Sequence, residues 1–582
     1  MRMPYRLGEQ DRPHVLVRMP MDRRNPNFAP LVSRRALVGG ALGAVALAAL
    51  SGCSAPGSSA DGSAADESFG VAILRPKSID PFLASDEAGL QIVRQVFEPL
   101  TGFDYETGEL VGRAAQRFEV SDDALTITFY LRDRMFHSGE PVTAASFKRA
   151  WERLLNPSSA ASAAYGVSPH AYLLALVAGA AELRAGEADG LSGVSCPDDR
   201  TLVVTLTEPY ADFPYVAAHL ALSPVPEAAE ADVAAFGSAP VGNGPFMLDG
   251  SWGKNSAAIK LKRYDDYAGT VPAIERVRFP FESDTASGFQ DFLTGAVDVA
   301  SCPVDELEGA GARYGRAVDG LVAGPGEHLV YAADLATSYL VCNTAVAPCN
   351  NADFRRALSL AFDRTGLCER IYREMHLAAD SIVPPVVPGY REGAWAYTAH
   401  DPARAEELLD GLYPLLDSDE RAVAVSIIYA TRGGSESAME ELAEQLKAVG
   451  VPCEVEGLEY DVFYDRLAAG DFTLARLDVQ TEEPTLESIL FPLFHTRSLG
   501  GANVSGYTNE EASALMTEAR ATKDAGHRMA LLQQAEDLIA EDMPVIPLTY
   551  PAHAVATSNR VETLVVEPTG ALDLAGAVLA EE

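Results

Sequence analysis

Arg432 and Arg476 are the side chains whose setting points most directly to chemistry, because a guanidinium fork can take a carboxylate through two parallel hydrogen bonds. Arg432 precedes Gly433-Gly434 in a loop after an apolar strand, a position suited to a cleft lip or to an ordinary solvated charge. Proton-transfer, metal and nucleophile chemistry find no comparable setting. The ten His form no H-E-x-x-H, and the seven Cys form no C-x-x-C. The chain also lacks a G-x-S-x-G elbow, a P-loop and a G-x-G-x-x-G after a strand. Acidic pairs such as Asp122-Asp123, Glu482-Glu483 and Glu510-Glu511 are what a chain with 83 carboxylates places on a solvated face. Catalysis therefore finds no positive support, and no catalytic residue, no metal and no cofactor is expected.

The elements that must position such groups can be read from periodicity. Leu125, Ile127, Phe129 and Leu131 alternate with polar residues, as do Leu202, Val204 and Leu206, the period of half-buried strands. Phe69 to Leu74 reads as a strand ended by the turn Asp80-Pro81-Phe82. Thr143 to Leu155 reads as a helix with a Thr cap, and a second helix is expected over about Ala171 to Ala185. In the second half Asp353–Asp363 and Ser435–Val449 carry apolar stripes at helical spacing. A strand Val451–Gly457, a helix from Asp461 and a strand Phe472–Val479 follow. Strand, helix and strand in succession specify an α/β fold with sheets covered by helices. No period of solenoid length repeats.

Length and charge narrow the classes further. At roughly 150 residues per domain, 582 residues make about four folding units, fewer if the lobes are large. A net charge of -38 argues against nucleic acid as a partner, since that affinity comes from cations on phosphates. The first 52 residues run against this trend with eight Arg and three acids, a balance of +5. Within them Ser33-Arg34-Arg35 opens an apolar run that ends at Leu50-Ser51-Gly52-Cys53, the order of an export signal. The run is shorter than the about 20 residues of a membrane span. Arg34-Arg35 resembles a twin-arginine signal, or is the basic region of an ordinary secretory one. Leu-Ser-Gly-Cys resembles a lipoprotein box, which makes Cys53 the expected lipidation site and 1–52 the removed segment. Residues 53–68 are small and polar, a flexible tether. The remaining Cys196, Cys302, Cys342, Cys349, Cys368 and Cys453 could form up to three disulfides or serve as small buried hydrophobes.

Five segments then fall in one order. They are Asp122 to Phe147, Pro240-Val-Gly-Asn-Gly-Pro-Phe246, Leu293-Thr-Gly-Ala-Val-Asp298, Asn343 through Asp353-Phe-Arg-Arg-Ala-Leu358 to Asp363-Arg364, and Ile382 to Tyr390. Together they resemble the family-5 extracellular solute-binding proteins, the oligopeptide and dipeptide receptors of ABC importers, from about Phe69 to the end. The resemblance implies a two-lobed periplasmic-binding-protein type II (Venus-flytrap) fold with an extra small domain. Lobe I would be 69–104, 200–335 and 547–582, the small domain 105–199 and lobe II 336–546. It implies a monomer that holds a short peptide, or another small solute, between the lobes and delivers it to ABC permease subunits in the membrane. An anchor through Cys53 would keep it on the outer face.

The same resemblance nominates ligand-binding residues. The stretch Phe472 to Pro484 matches a peptide-presenting strand, which brings in Arg476, Leu477, Asp478, Val479 and Gln480. Asp478, Glu482 and Glu483 compete as partners for a peptide ammonium, and counting back from Pro484 puts Gln480 at that place. The family's aromatic after Arg476 is missing, which keeps a metal chelate, haem or sugar open as the solute. Tyr460 matches a pocket aromatic, and Ser85, Asp86 and Glu87 match a ligand-contacting loop of the first lobe. An extracellular hydrolase is the alternative of a different class.

Overall fold

The computed structural model describes residues 68–431 and 435–581. The export segment, the lipobox Cys53, all of the tether before Ser68, and Arg432 lie outside the described residues.

Apolar side chains gather into two principal cores. The first joins Phe69 to Val330 with Val555 to Ala577, and the second runs from Leu335 to Leu548. In the first, a four-stranded antiparallel sheet is ordered Ala115–Val120, Thr126–Leu131, Thr201–Thr205, Val194–Asp198. The alternation of Thr126–Leu131 is realised as Ile127, Phe129 and Leu131 buried. Phe69 to Leu74 forms two short strands on Arg276–Glu282 rather than one, because Val71 between them bridges to Val299 instead.

The helix Ala144–Leu155 is started by Thr143, whose backbone N–H donates to Ser146 Oγ (3.2 Å). It buries Phe147, Trp151 and Leu154, and Trp151 Nε1 donates to Leu222 O (3.0 Å). From the same helix Arg153 forks onto Asp80 (2.7 and 2.6 Å) and also donates to Glu230 (2.8 Å). The single helix expected over Ala171 to Ala185 is two pieces, a 3-10 turn Ala171–Leu174 and a helix Ala180–Ala185. Gly179 between them sits at φ 83°, a left-handed conformation that no helix can pass through.

The second core is the α/β part. Val425–Ala430 and Cys453–Leu458 are parallel neighbours joined through the helix Glu436–Ala448, a crossover of strand, helix and strand. Its sheet continues through Leu474–Gln480 and Ala336–Cys342 to Val545–Thr557. The last of these has 13 residues and serves both cores. Its first half pairs with Ala336–Cys342, its second half with Leu329–Ala333 and Val299–Ser301. Because Leu329–Ala333 and Ala336–Cys342 are consecutive in the chain, two antiparallel segments carry the backbone from one core to the other.

Arg364 locks the second core without a carboxylate. It is buried, and its guanidinium donates to Pro547 O (2.7 Å), Thr398 O (2.7 Å), Ser359 O (3.0 Å) and Ser359 Oγ (2.8 Å). Burial pulls its pKa down to about 9, while five fixed donors keep the charge solvated by carbonyl dipoles. The cores are also clasped by ion pairs, Asp212 with Arg528 (2.8 Å) and Glu208 with Arg520 (2.7 Å), and Arg520 is held within the second core by Glu487 (2.7 Å).

Candidate functional site

The strand Leu474–Gln480 ends where the sheet's parallel strands leave a gap. It pairs antiparallel with Ala336–Cys342 along its whole length, Ser338 opposite Asp478. Thr481 N donates to Leu335 O (3.1 Å) and Asn343 N to Thr473 O (3.0 Å). Successive peptide groups of a strand point to opposite edges. The N–H and C=O of Leu477 and Val479 therefore face Ala336–Cys342, and those of Arg476, Asp478 and Gln480 face the other edge. There Val425–Ala430 pairs with Leu474 and Ala475 and then diverges. Among the described residues the edge carries no strand partner at Asp478 and Gln480. It opens at the carboxyl ends of the parallel strands, the place where α/β sheets receive ligands.

Side chains on that strand sort by period two. Leu477 and Val479 are buried in the second core, so both their side chains and their peptide groups are spent on the scaffold. Arg476 and Asp478 share the opposite face and bind each other, Nη1 to Oδ2 at 2.5 Å. Ser338 Oγ donates to Asp478 Oδ1 (2.5 Å) and accepts from Arg476 Nη2 (3.2 Å). The carboxylate fork and one ammonium candidate thus neutralise one another before any ligand arrives, while Arg476 Nε is buried without a partner. Behind them His376 stacks on Tyr372 (3.8 Å between rings), and its Nδ1 bonds Thr549 Oγ1 (2.8 Å).

Burial, with Arg476 nearby, pulls His376 down to about 4, and burial does the same to His137 and His495. These rings resist protonation in the folded chain but accept it near 6.5 when unfolded. Their contribution is complete above about 6.5 and is lost as the pH falls through about 4. Thermal melts across that window should show a falling Tm, with a smaller drop in His376→Asn than in the parent. An unchanged slope would mean that His376 is not held neutral.

A second group lies where the strand ends. Ala221 N donates to His219 Nδ1 (3.0 Å), which leaves the ring proton on Nε2, facing the Glu482 carboxylate. Glu483 is raised by burial and by Glu482, with His219 opposing. Tyr105 is raised by burial and by Glu567, Glu482 and Glu483 nearby. Across from these, His553 Nδ1 bonds Asp334 Oδ1 (2.8 Å), and Arg94 pairs with Glu567. Glu87 keeps solvent access, yet its carboxyl is raised by desolvation and then by Asp334, against His553. The group is rich in carboxylates and lies at the chain's passage between the cores.

The structure thus puts Asp478 and Gln480 on an open edge, with Arg476 paired to Asp478 beside them, Glu482 and Glu483 at its end and Glu87 at the same passage. Asp86 instead caps the helix Glu87–Val96, accepting from Gly89 N (3.0 Å) and Lys77 N (3.1 Å), and Ser85 is exposed beside it. Tyr460 starts the helix Tyr460–Ala469 and packs on Tyr464 (4.6 Å between rings). Sequence reasoning missed Ser338, Thr549, His376, His219, Asp334 and His553. Ser338 had a signal, a polar residue inside the otherwise apolar Ala336–Cys342; the histidines had none.

Residues 109–501 match the family model of bacterial extracellular solute-binding proteins, family 5. The oligopeptide-binding protein OppA of Bacillus subtilis (strain 168) is 26% identical over 512 residues, covering 85% of this chain and 89% of that one. The probable deoxycholate-binding periplasmic protein YgiS of Escherichia coli (strain K12) is 29% identical over 505 residues, covering 82% and 86%. Among solved structures, the unliganded open form of the periplasmic murein tripeptide binding protein MppA superposes with a TM-score of 0.75. It is 22% identical and covers 89% of this chain and 98% of its own.

Proposed function

The chain belongs to the family-5 bacterial extracellular solute-binding proteins, with their two-lobed fold, and from that premise we propose that it captures short peptides and delivers them to an ABC importer. The observation that carries the peptide reading is the open edge at Asp478 and Gln480. An extended peptide can pair there through its own backbone, which gives affinity with little dependence on side chains. The carboxylates Glu87, Asp334, Glu482 and Glu483 would meet its ammonium end. The two cores support a division into lobes at the passage through Asp334–Leu335 and Thr549–His553, and closure would add only contacts made in the closed form.

In this reading residues 1–52 direct export, Cys53 carries the lipid and 53–68 tether the body to the membrane's outer face. No helix among the described residues is long and apolar enough to cross a membrane. The protein acts by binding, as its family does, and the permease selects its loaded form.

A non-peptide solute is the second reading. It is favoured by the Arg476–Asp478 pair, which withdraws both charges from a peptide's termini, and by the deoxycholate named for one relative. Native purification of the body followed by mass spectrometry of what co-purifies decides between them. Mixed short peptides are expected. A single non-peptide compound, with no heat on titration of di- to pentapeptides, would overturn the peptide reading and leave the fold standing.

A further inference from the structure

One face of the molecule runs against its charge. Residues 251–281 hold six Lys and Arg against three acids, a balance of +3, in a chain whose residues after 52 sum to -43. They build most of a sheet ordered Phe69–Gly70, Arg276–Glu282, Ala258–Arg263, Phe246–Leu248. Ile259, Leu261, Val277 and Phe279 alternate into the first core, which puts Lys260, Lys262, Arg276 and Arg278 on the opposite face. There they stand in two directly opposed pairs, Lys260 against Arg278 and Lys262 against Arg276. Like charges set opposite one another cost a sheet stability. Little on the protein relieves them. Arg276 has one carboxylate, Asp249 (2.7 Å), and Arg278 donates to Ala296 O (3.0 Å). Among the described residues Lys260 and Lys262 enter no ion pair.

The described chain begins on the edge strand of this same sheet, where Gly70 lies opposite Arg278. Residues 53–68 can span at most about 50 Å, so the sheet is held within that reach of Cys53. We propose that this face docks on an anionic phospholipid surface, that of the membrane in which Cys53 is anchored. The proposal rests on the anchor read above. The array lies on an open sheet face rather than in a cleft, so it matches a plane of many phosphates and not one small anion. Each cation gains from the surface potential within a Debye length, a short-range attraction that the net charge of the whole body, screened beyond that distance, does not cancel. Docking through the first core leaves the second core free to swing, as a two-lobed binder requires.

Lysine labelling reads the face directly. The chain has seven lysines, all within the described residues, so each reports its own exposure. The exported full chain is bound to vesicles of phosphatidylcholine, or of phosphatidylcholine mixed with phosphatidylglycerol, acylated with a soluble amine-reactive ester and read by mass spectrometry. Lys260 and Lys262 are expected to react about tenfold more slowly on the anionic vesicles, while Lys447 and Lys523, in the second core's segment of the chain, react alike on both. Molar salt should remove the difference, the Debye length then being about 3 Å. Arg276→Gln combined with Arg278→Gln should bring the two lysines most of the way back to their rate on neutral vesicles.

Flotation with the neutral vesicles checks the anchor separately, because a lipid inserts whatever the charge of its neighbours. A chain that floats with both vesicles and reacts equally at Lys260 and Lys262 on both would overturn the docking face and leave the anchor standing. Equal protection of all seven lysines on anionic vesicles would overturn it too, as would protection by soluble polyphosphate with none by the vesicles.

Discussion

Arg153→Leu is expected to cost about 3–5 kcal/mol of stability, a large part of the about 5–15 kcal/mol that holds a domain together. Arg153 and Asp80 are each only 2% exposed at the side chain, and the guanidinium fork meets both carboxylate oxygens. Leucine leaves Asp80 as an unpaired charge in an apolar surround that includes the Phe82 and Phe236 rings, 5.0 and 5.5 Å from the guanidinium. The carboxylate also orders the turn through Phe82 N (2.9 Å), so the fault spreads into the loop before the helix Glu87–Val96. Urea unfolding measures the loss. Asp80→Asn added to Arg153→Leu should recover part of it, because a neutral amide is cheaper to bury than a lone carboxylate. A single-variant loss under about 1 kcal/mol would show that water reaches the pair.

Gln480→Pro is expected to weaken peptide binding by about tenfold with the Tm unchanged, an effect on the scale of one lost hydrogen bond plus a ring thrust into the docking edge. Gln480 is exposed, and its N–H faces the unpaired edge, so proline removes no ladder bond of the sheet. Val479 before it is already extended, as a residue preceding proline prefers. Gln480→Ala keeps the N–H and should bind as the parent does. Equal affinity of the proline variant for co-purified peptides would show that the ligand does not use this edge.

Elements set by local rules were legible in the sequence, and contacts between distant segments were not. Thr143 and the stripe Phe147, Trp151, Leu154 announced their helix, and the run from Phe472 announced the strand that became Leu474–Gln480. Gly179 was visible too, but its left-handed φ depends on the turn around it, so the helix Ala171 to Ala185 was drawn too long. Arg476 and Asp478 stand two apart, on one face of a strand, and their pairing follows from that spacing alone. Which edge of the strand stays open does not, because it depends on where Val425–Ala430 diverges. Pairs such as Asp80 with Arg153 and His219 with Glu482 close loops of many residues and have no local signature.

The strand Val545–Thr557 gives the chain a late appointment. It is an interior strand of the largest sheet and supplies partners to both cores, yet it leaves the ribosome after nearly everything it must join. Until then the nascent body has two half-built sheets with exposed edges, the condition under which long chains misassociate. A stop codon or a proteolytic nick shortly before Val545 would remove less than a tenth of the residues and leave neither half able to close.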